Sequence, residues 1–535
     1  MAGTNVLFTV IVILIYNAYT IDSISTANLE ASLDEYINAG LKCHTKNPGL
    51  ALAIVKDGKV ILTKGYGVRD LSTNSPVTDR TIFGIASMSK AFASTLLVKL
   101  LAKHSNMSIY TDIAKILPNF KFTTHIRTDN ANIRDLLSHT MGFPAHNLMR
   151  LDPKLTRDDI ASRSQQVHSI HPFRDSYLYN NLMYGLASVV AERIGGKRWE
   201  DLIEEELYTP LGMSGSSFMT KVDLSGNVAK GYGTDDATGG PVPIDFAINR
   251  RWGQMGGSTN IMSNAVDISK WMLFHLSKGR NQAGQQILSE NDMATLHRRR
   301  NTITAPTSEK YFSQPQVPVS SLEENYALGW KNGVYRGYKV LRHTGTTWGY
   351  SSLVTLIPDM NLGFFTTMTG DDPGYKFRYL LHNYIGDLLL GETPWLNKTT
   401  LCSFPEPWYN QSTSVYHPIN KHINPTRSLN YYVGVYHNSM YGNLHVTMNT
   451  SANTLQMNYG IGSWLLYPKG THDKFVGEGT NIVHKIIDLS SIQFHSSNLH
   501  GRSTIDSVKV ISFETRAPPV FTKTSSHVNT GNIVG

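Results

Sequence analysis

Residues 50–70, LALAIVKDGKVILTKGYGVRD, hold two β-rich runs joined across Asp57-Gly58, a strong hairpin signal. Comparable strand runs return only from residue 337 onward, as YKVLRHTG, SSLVTLIP and LGFFTTMTG, separated by turn residues. The intervening region reads as helix. Leu96, Leu97, Leu100 and Leu101 recur at helical spacing, and IRDLLSHTMGF (133–143), NLMYGLASVVAERIGG (181–196) and NAVDISKWMLFHLSKG (264–279) follow. Strands at both ends of a helical middle predict one antiparallel sheet assembled from both ends, flanked by helices and a helical lobe. That is an α+β architecture and not an alternating βαβ one.

This unit spans 28–393. Residues 394–427 contain Pro394, Pro405, Pro407, Pro418 and Pro425 without periodicity and read as a linker. Residues 428–517 alternate Tyr and Val with polar residues, predicting a small all-β domain, and 518–535 read as a frayed polar tail. At the other end, Val6–Ile15 is apolar but too short to span a bilayer, so residues 1–20 read as a signal peptide and the protein as secreted, without stable membrane insertion. The formal charge of +8 is spread without a dense basic run, which argues against nucleic acid as a partner. Cys43 and Cys402 are the two cysteines; one disulfide and two buried thiols are equal alternatives. Sequons stand at Asn106, Asn397, Asn410 and Asn449, a number that chance alone would supply.

No nucleophile elbow, His-Glu-x-x-His pair or phosphate-binding loop appears, and the 20 histidines show no metal-ligand spacing. The sequence does contain one Ser-x-x-Lys, Ser87-Met88-Ser89-Lys90, at the start of a predicted buried helix. Positions i and i+3 share a helix face, so the Lys90 amine can reach the Ser87 hydroxyl. It becomes a base only if burial keeps it neutral. A Tyr-x-Asn, Tyr179-Asn180-Asn181, and a His-Thr-Gly, His343-Thr344-Gly345, follow in order.

With these motifs and the flanking MGGSTNIMSNAVDISKW (255–271), YALGW (326–330) and GYSSLVTLIPDMNLGFF (349–365), the chain resembles the serine β-lactamase and D-alanyl-D-alanine carboxypeptidase superfamily, in its class C-like branch. That branch also holds esterases and D-aminopeptidases. The C-terminal unit resembles, more loosely, the lipocalin-like domain of some peptidase members. The resemblance implies that Ser87 forms an acyl-enzyme, Lys90 and Tyr179 share proton transfer, and Asn181 positions substrate and Lys90. It further implies that His343 lines the site opposite Ser87, Thr344 binds substrate, Gly345 lets a substrate strand approach, and the N–H groups of Ser87 and Thr346 form the oxyanion hole. No cofactor or metal is implied, and oligomers are compatible with it.

Where most true β-lactamases carry lysine, this chain has His343, so hydrolysis of small peptides or other amides ranks above antibiotic hydrolysis. Carboxylester hydrolysis and a catalytically silent binding protein are the alternatives. His139 reads as structural, at a helix end away from the site wall. Trp348 reads equally as a stacking surface and as packing, and 300–325 as a lid or a variable loop.

Overall fold

The computed structural model describes residues 26–235, 238–304, 317–410, 418–499 and 502–524. The predicted signal peptide lies outside these residues. Helix α1 (Thr26–Cys43) precedes β1 (Gly49–Lys56) and β2 (Lys59–Asp70), whose turn places Asp57 and Gly58 at φ of 51° and 77°. Asp and Gly tolerate that left-handed backbone, so the hairpin forms where the sequence predicts it. Helix α2 (Ser89–Leu101), α3 (Asn181–Gly195) and α4 (Ala265–Leu276) belong to the helical middle.

Five strands return in sequence: β3 (Ser321–Tyr326), β4 (Lys331–Tyr335), β5 (Tyr338–Thr347), β6 (Tyr350–Ile357) and β7 (Leu362–Thr369). The nine-stranded sheet runs Ser75–Pro76, β2, β1, β7, β6, β5, β4, β3, Asn301–Thr302. The two ends of the region therefore meet at one seam, where β1 pairs antiparallel with β7 in the register Leu50 with Met368 and Lys56 with Leu362. Strand β1 is apolar throughout because both faces are covered. Ala51, Ala53 and Val55 face the helical lobe, while Leu50, Leu52 and Ile54 face α1 and α5 (Lys376–Leu390). Each such side chain removed from water contributes roughly 1.5–3 kcal/mol.

The sequence reading needs correction at three places. Strands β3 and β4 occupy a stretch whose N-terminal part reads as lid or loop, although 305–316 lies outside the described residues. The expected linker begins with structure: α6 (Lys398–Ser403) buries Leu401 against Gly40 of α1, and Cys402 forms a disulfide with Cys43. The small domain also extends further than expected. It is a closed eight-stranded barrel from Gly434 to Lys523, and Val520–Lys523, assigned to the tail, pairs with both Gly434–Asn438 and Arg502–Val510. Phe521 inside that strand is fully buried, which explains why the segment is ordered.

Candidate active site

The segment FGIASMSKAFAST turns sharply before it becomes helix. Ala86 sits at φ 48° in a 3-10 turn, Ala86–Met88, that leads into α2. Strain of this kind in a non-glycine residue persists only where the surroundings impose it. Here Gly345 of β5 presses on the turn: a Cβ at Gly345 would lie 2.1 Å from the Ile85 carbonyl oxygen, and Ser352 donates to that same oxygen at 2.9 Å. The turn that carries Ser87 thus itself leaves no room for a side chain at Gly345.

Ser87 is half-buried, while its neighbours Ala86, Met88, Ser89 and Lys90 are buried. The two serines of the motif are consequently not equivalent. Ser89 accepts a hydrogen bond from the Ile261 N–H at 3.1 Å, and Ser87 is left facing Lys90. Lys90 is completely buried, with Nζ 3.0 Å from Ser87 Oγ, 2.7 Å from Asn181 Oδ1 and 3.0 Å from the Ser258 carbonyl oxygen. Burial, with no acid partner among the described residues, pushes its pKa well below the ordinary lysine value. Three acceptors would also suit an ammonium, but two of them can only accept. A neutral amine satisfies both with its two N–H bonds and leaves its lone pair toward the Ser87 hydroxyl, which can donate to it.

Helix α3 delivers Asn181 from its first turn. Asn180 caps that turn by accepting from the Met183 N–H at 3.0 Å. Asn181 Nδ2 donates to Asn147 Oδ1 at 3.0 Å, so the two ends of its amide hold two different partners. The ring of Tyr179 lies 4.7 Å from Lys90 Nζ. Ser87, Lys90, Tyr179 and Asn181 are therefore brought together.

Strand β5 forms the opposite wall. It outruns β4, which pairs only with Tyr338–Arg342. Thr347 and Tyr350 close the hairpin to β6, so the alternating ladder turns the main-chain groups of Thr344 and Thr346 toward the open edge. Thr346 is exposed, and its hydroxyl accepts from the buried Arg378, which also binds the Gly345 carbonyl and pairs with Asp372.

His343 departs from expectation. It is 1% exposed, and both ring nitrogens are engaged within the protein. Nδ1 donates to the Thr344 carbonyl oxygen at 2.7 Å, leaving Nε2 to accept from Tyr326 at 2.9 Å. Burial, and after it Lys90 and Lys331, lowers its pKa well below 6.5 and keeps it neutral. It supports the wall and offers substrate no free N–H. His139 is buried and structural, as read, but it packs directly behind the site, 4.5 Å from the Tyr179 ring and 4.6 Å from that of Tyr326, and its Nδ1 accepts from the Asn180 N–H at 3.1 Å. Trp348 is packing: the Arg150 guanidinium lies 4.2 Å from its ring and 3.8 Å from that of Trp252.

Tyr326, Ser258, Asn147 and Arg378 complete the site without having been singled out from the sequence. The first two lie in YALGW and MGGSTN, which were visible as motifs; Asn147 and Arg378 carry no such signal. Among the described residues no cluster of His, Cys, Asp or Glu could hold a metal ion.

Residues 29–384 match the Beta-lactamase family. The chain is 35% identical over 239 residues to Gigasin-6 of Magallana gigas, covering 44% of this chain and 78% of that protein. It is 26% identical over 432 residues to the unguisins hydrolase ungD of Aspergillus violaceofuscus, covering 76% of this chain and 74% of that one. In fold it is similar to an octameric penicillin-binding protein homologue from Pyrococcus abyssi (TM-score 0.59, 19% identity, 92% of this chain and 100% of that one). It is also similar to a D-amino acid amidase from Ochrobactrum anthropi (TM-score 0.54, 20% identity, 68% and 97%).

Proposed function

Because the chain belongs to the Beta-lactamase family and is a serine hydrolase of it, we propose that Ser87 is its nucleophile, that the reaction passes through an acyl-enzyme, and that the substrates are small peptides or related amides. The observation that carries this reading is the buried Lys90 amine, 3.0 Å from Ser87 Oγ with no carboxylate among the described residues to hold it charged.

In the forward step Ser87 Oγ attacks the carbonyl carbon as its proton passes to Lys90 or Tyr179, and the carbonyl oxygen gathers negative charge. The N–H groups of Ser87 and Thr346 would receive that charge; each such donor is worth about 2.7–4 kcal/mol in the transition state. The proton then goes to the leaving amine, and water later releases the acyl group by the reverse path. Amide hydrolysis is supported by the structural neighbour named as a D-amino acid amidase, and hydrolysis more broadly by the relative named as a hydrolase of unguisins.

We also propose secretion. The apolar N-terminal stretch, the Cys43–Cys402 disulfide and exposed sequon residues Asn106, Asn397 and Asn410 support it. The octameric relative supports self-association, which sedimentation of the purified protein would measure.

The test of the central reading is intact-mass spectrometry after exposure to a fluorophosphonate and, separately, a β-lactam. One adduct on Ser87, absent in Ser87→Ala, is expected. Folded protein that takes neither probe would overturn the nucleophile and leave a binding protein in its place.

A further inference from the structure

The barrel has little room to carry a ligand. Tyr441, Tyr459, Trp464, Phe513 and Phe521 are all buried and pack on one another inside it, with Phe513 5.2 Å from Tyr459 and 6.0 Å from Trp464, and Phe494 packs on Tyr432 and Phe475. What it offers is its outer surface, which meets the catalytic domain at Arg163, whose guanidinium donates to the Met440 carbonyl oxygen, at Asp235, which pairs with Lys485, and along one short segment, residues 144–151.

The fastening is specific. Glu514 Oε2 accepts from two successive main-chain groups, the Ala145 and His146 N–H, both at 3.1 Å. His146 stands at φ 44°, a left-handed conformation that a non-glycine residue adopts only when held there. Its Nδ1 is 3.0 Å from the Tyr441 hydroxyl. Tyr459 donates to the Met149 carbonyl oxygen at 3.2 Å, and the Ile461 N–H donates to that of Leu151 at 2.9 Å.

Between these fixed points lies Asn147, whose side-chain oxygen receives Asn181 Nδ2. Asn181 in turn holds Lys90 through its own oxygen at 2.7 Å. Arg150, in the same segment, stacks between Trp252 and Trp348, and Trp348 follows the end of β5. One short segment thus touches both walls of the site, and it is held by the barrel as well as by the catalytic domain, where Asn180 donates to the Phe143 and Pro144 carbonyl oxygens and Arg251 to that of Arg150.

We infer that the C-terminal barrel is a positioning element for the active site, with Glu514 and Tyr441 holding residues 144–151 so that Asn147 fixes Asn181 and, through it, the Lys90 amine. The inference rests on the assignment of Ser87 and Lys90 as the reacting pair. Neither barrel residue touches substrate; both act through Asn147.

The experiment is a double-mutant cycle on the full-length protein, reading the rate constant for fluorophosphonate labelling of Ser87 by intact mass. Glu514→Ala is expected to slow labelling on the order of tenfold, as small misplacements of reacting groups do. Asn147→Ala slows it to a similar degree, and the double variant is no slower than Asn147→Ala alone. Glu514→Gln, which keeps an acceptor oxygen, stays near the unaltered protein. Trp464→Phe, which perturbs the barrel interior away from residues 144–151, lowers the thermal midpoint without changing the labelling rate.

Multiplying effects in the double variant, or an unchanged rate in Glu514→Ala, overturns the inference. So does a Trp464→Phe loss as large as that of Glu514→Ala, because general loosening would then explain both. Should Ser87 take no label in the unaltered protein, the nucleophile assignment fails separately. Amide hydrogen exchange then decides the coupling: faster exchange at both 144–151 and 179–182 in Glu514→Ala supports it, and change confined to 144–151 ends it.

Discussion

Among the described residues, two of the places where the catalytic domain buries a basic nitrogen with no acid beside it differ in what that nitrogen faces. At the first, Lys90 points at a hydroxyl that reaches the surface. At the second, His275 Nδ1 lies 2.9 Å from His297 Nε2, with His275 wedged 4.4 Å from the ring of Trp271 and 4.8 Å from that of Trp330. Burial depresses the basicity of all three groups. A perturbed base alone therefore does not identify a site. What separates the two is a half-buried hydroxyl within hydrogen-bond reach, on a turn held by a neighbouring strand.

The contrast is broken most severely at Lys90. Lys90→Met should lower the rate of Ser87 labelling by about 10²–10⁴-fold, the range expected for loss of a general base. In the unaltered protein the rate should rise with pH through a midpoint well below the ordinary lysine value, since the neutral amine is the active form. A flat pH profile, or full labelling in the variant, would remove the distinction between the two places.

At the histidine pair the readout is stability and not rate. His297 is held neutral with its pKa lowered to about 4, whereas in the unfolded chain it titrates near 6.5. Above pH 6.5 both states are neutral and nothing is lost. As pH falls from 6.5 toward 4 only the unfolded chain takes up the proton, and stability declines by up to roughly 3 kcal/mol. His297→Asn should flatten that part of the curve of denaturation midpoint against pH and leave labelling of Ser87 unaltered. An equal slope in both proteins would show that the pair does not behave as a sealed one.

The smallest effect sharpens the comparison inside the first place, between two hydroxyls two residues apart. Ser89→Ala leaves the buried Ile261 N–H without its acceptor and should cost about 1–3 kcal/mol of stability while Ser87 still takes the label. Loss of the adduct in folded Ser89→Ala would instead assign the nucleophile wrongly.

The fold was legible where a local rule agreed with the tertiary one. Asp57-Gly58 marks its own turn, and the apolar strands at either end need one another for cover. Val520–Lys523 was not legible, because its order comes from closing a barrel whose first strand lies more than eighty residues earlier. The proposed reacting pair was readable because Ser87 and Lys90 lie one helical turn apart. Their support was not. Tyr326 reaches His343 across the sheet, and Asn147 opens a 3-10 turn, Asn147–Leu151, too short to show periodicity. Gly345 shows the same limit from the other side: its position was evident, but the carbonyl it must accommodate belongs to Ile85, far away in sequence.

The seam between β1 and β7 sets a clock on biosynthesis. Strand β1 leaves the ribosome early, yet the strand that covers its open edge is made about 300 residues later, a wait of roughly 15–60 s at 5–20 residues per second. For that interval the apolar edge of Leu50–Val55 has only its hairpin partner for company. The nascent chain should be a client of holding chaperones until residue 369 has emerged, and Glu514 reaches its seat on the Ala145 and His146 N–H groups later still.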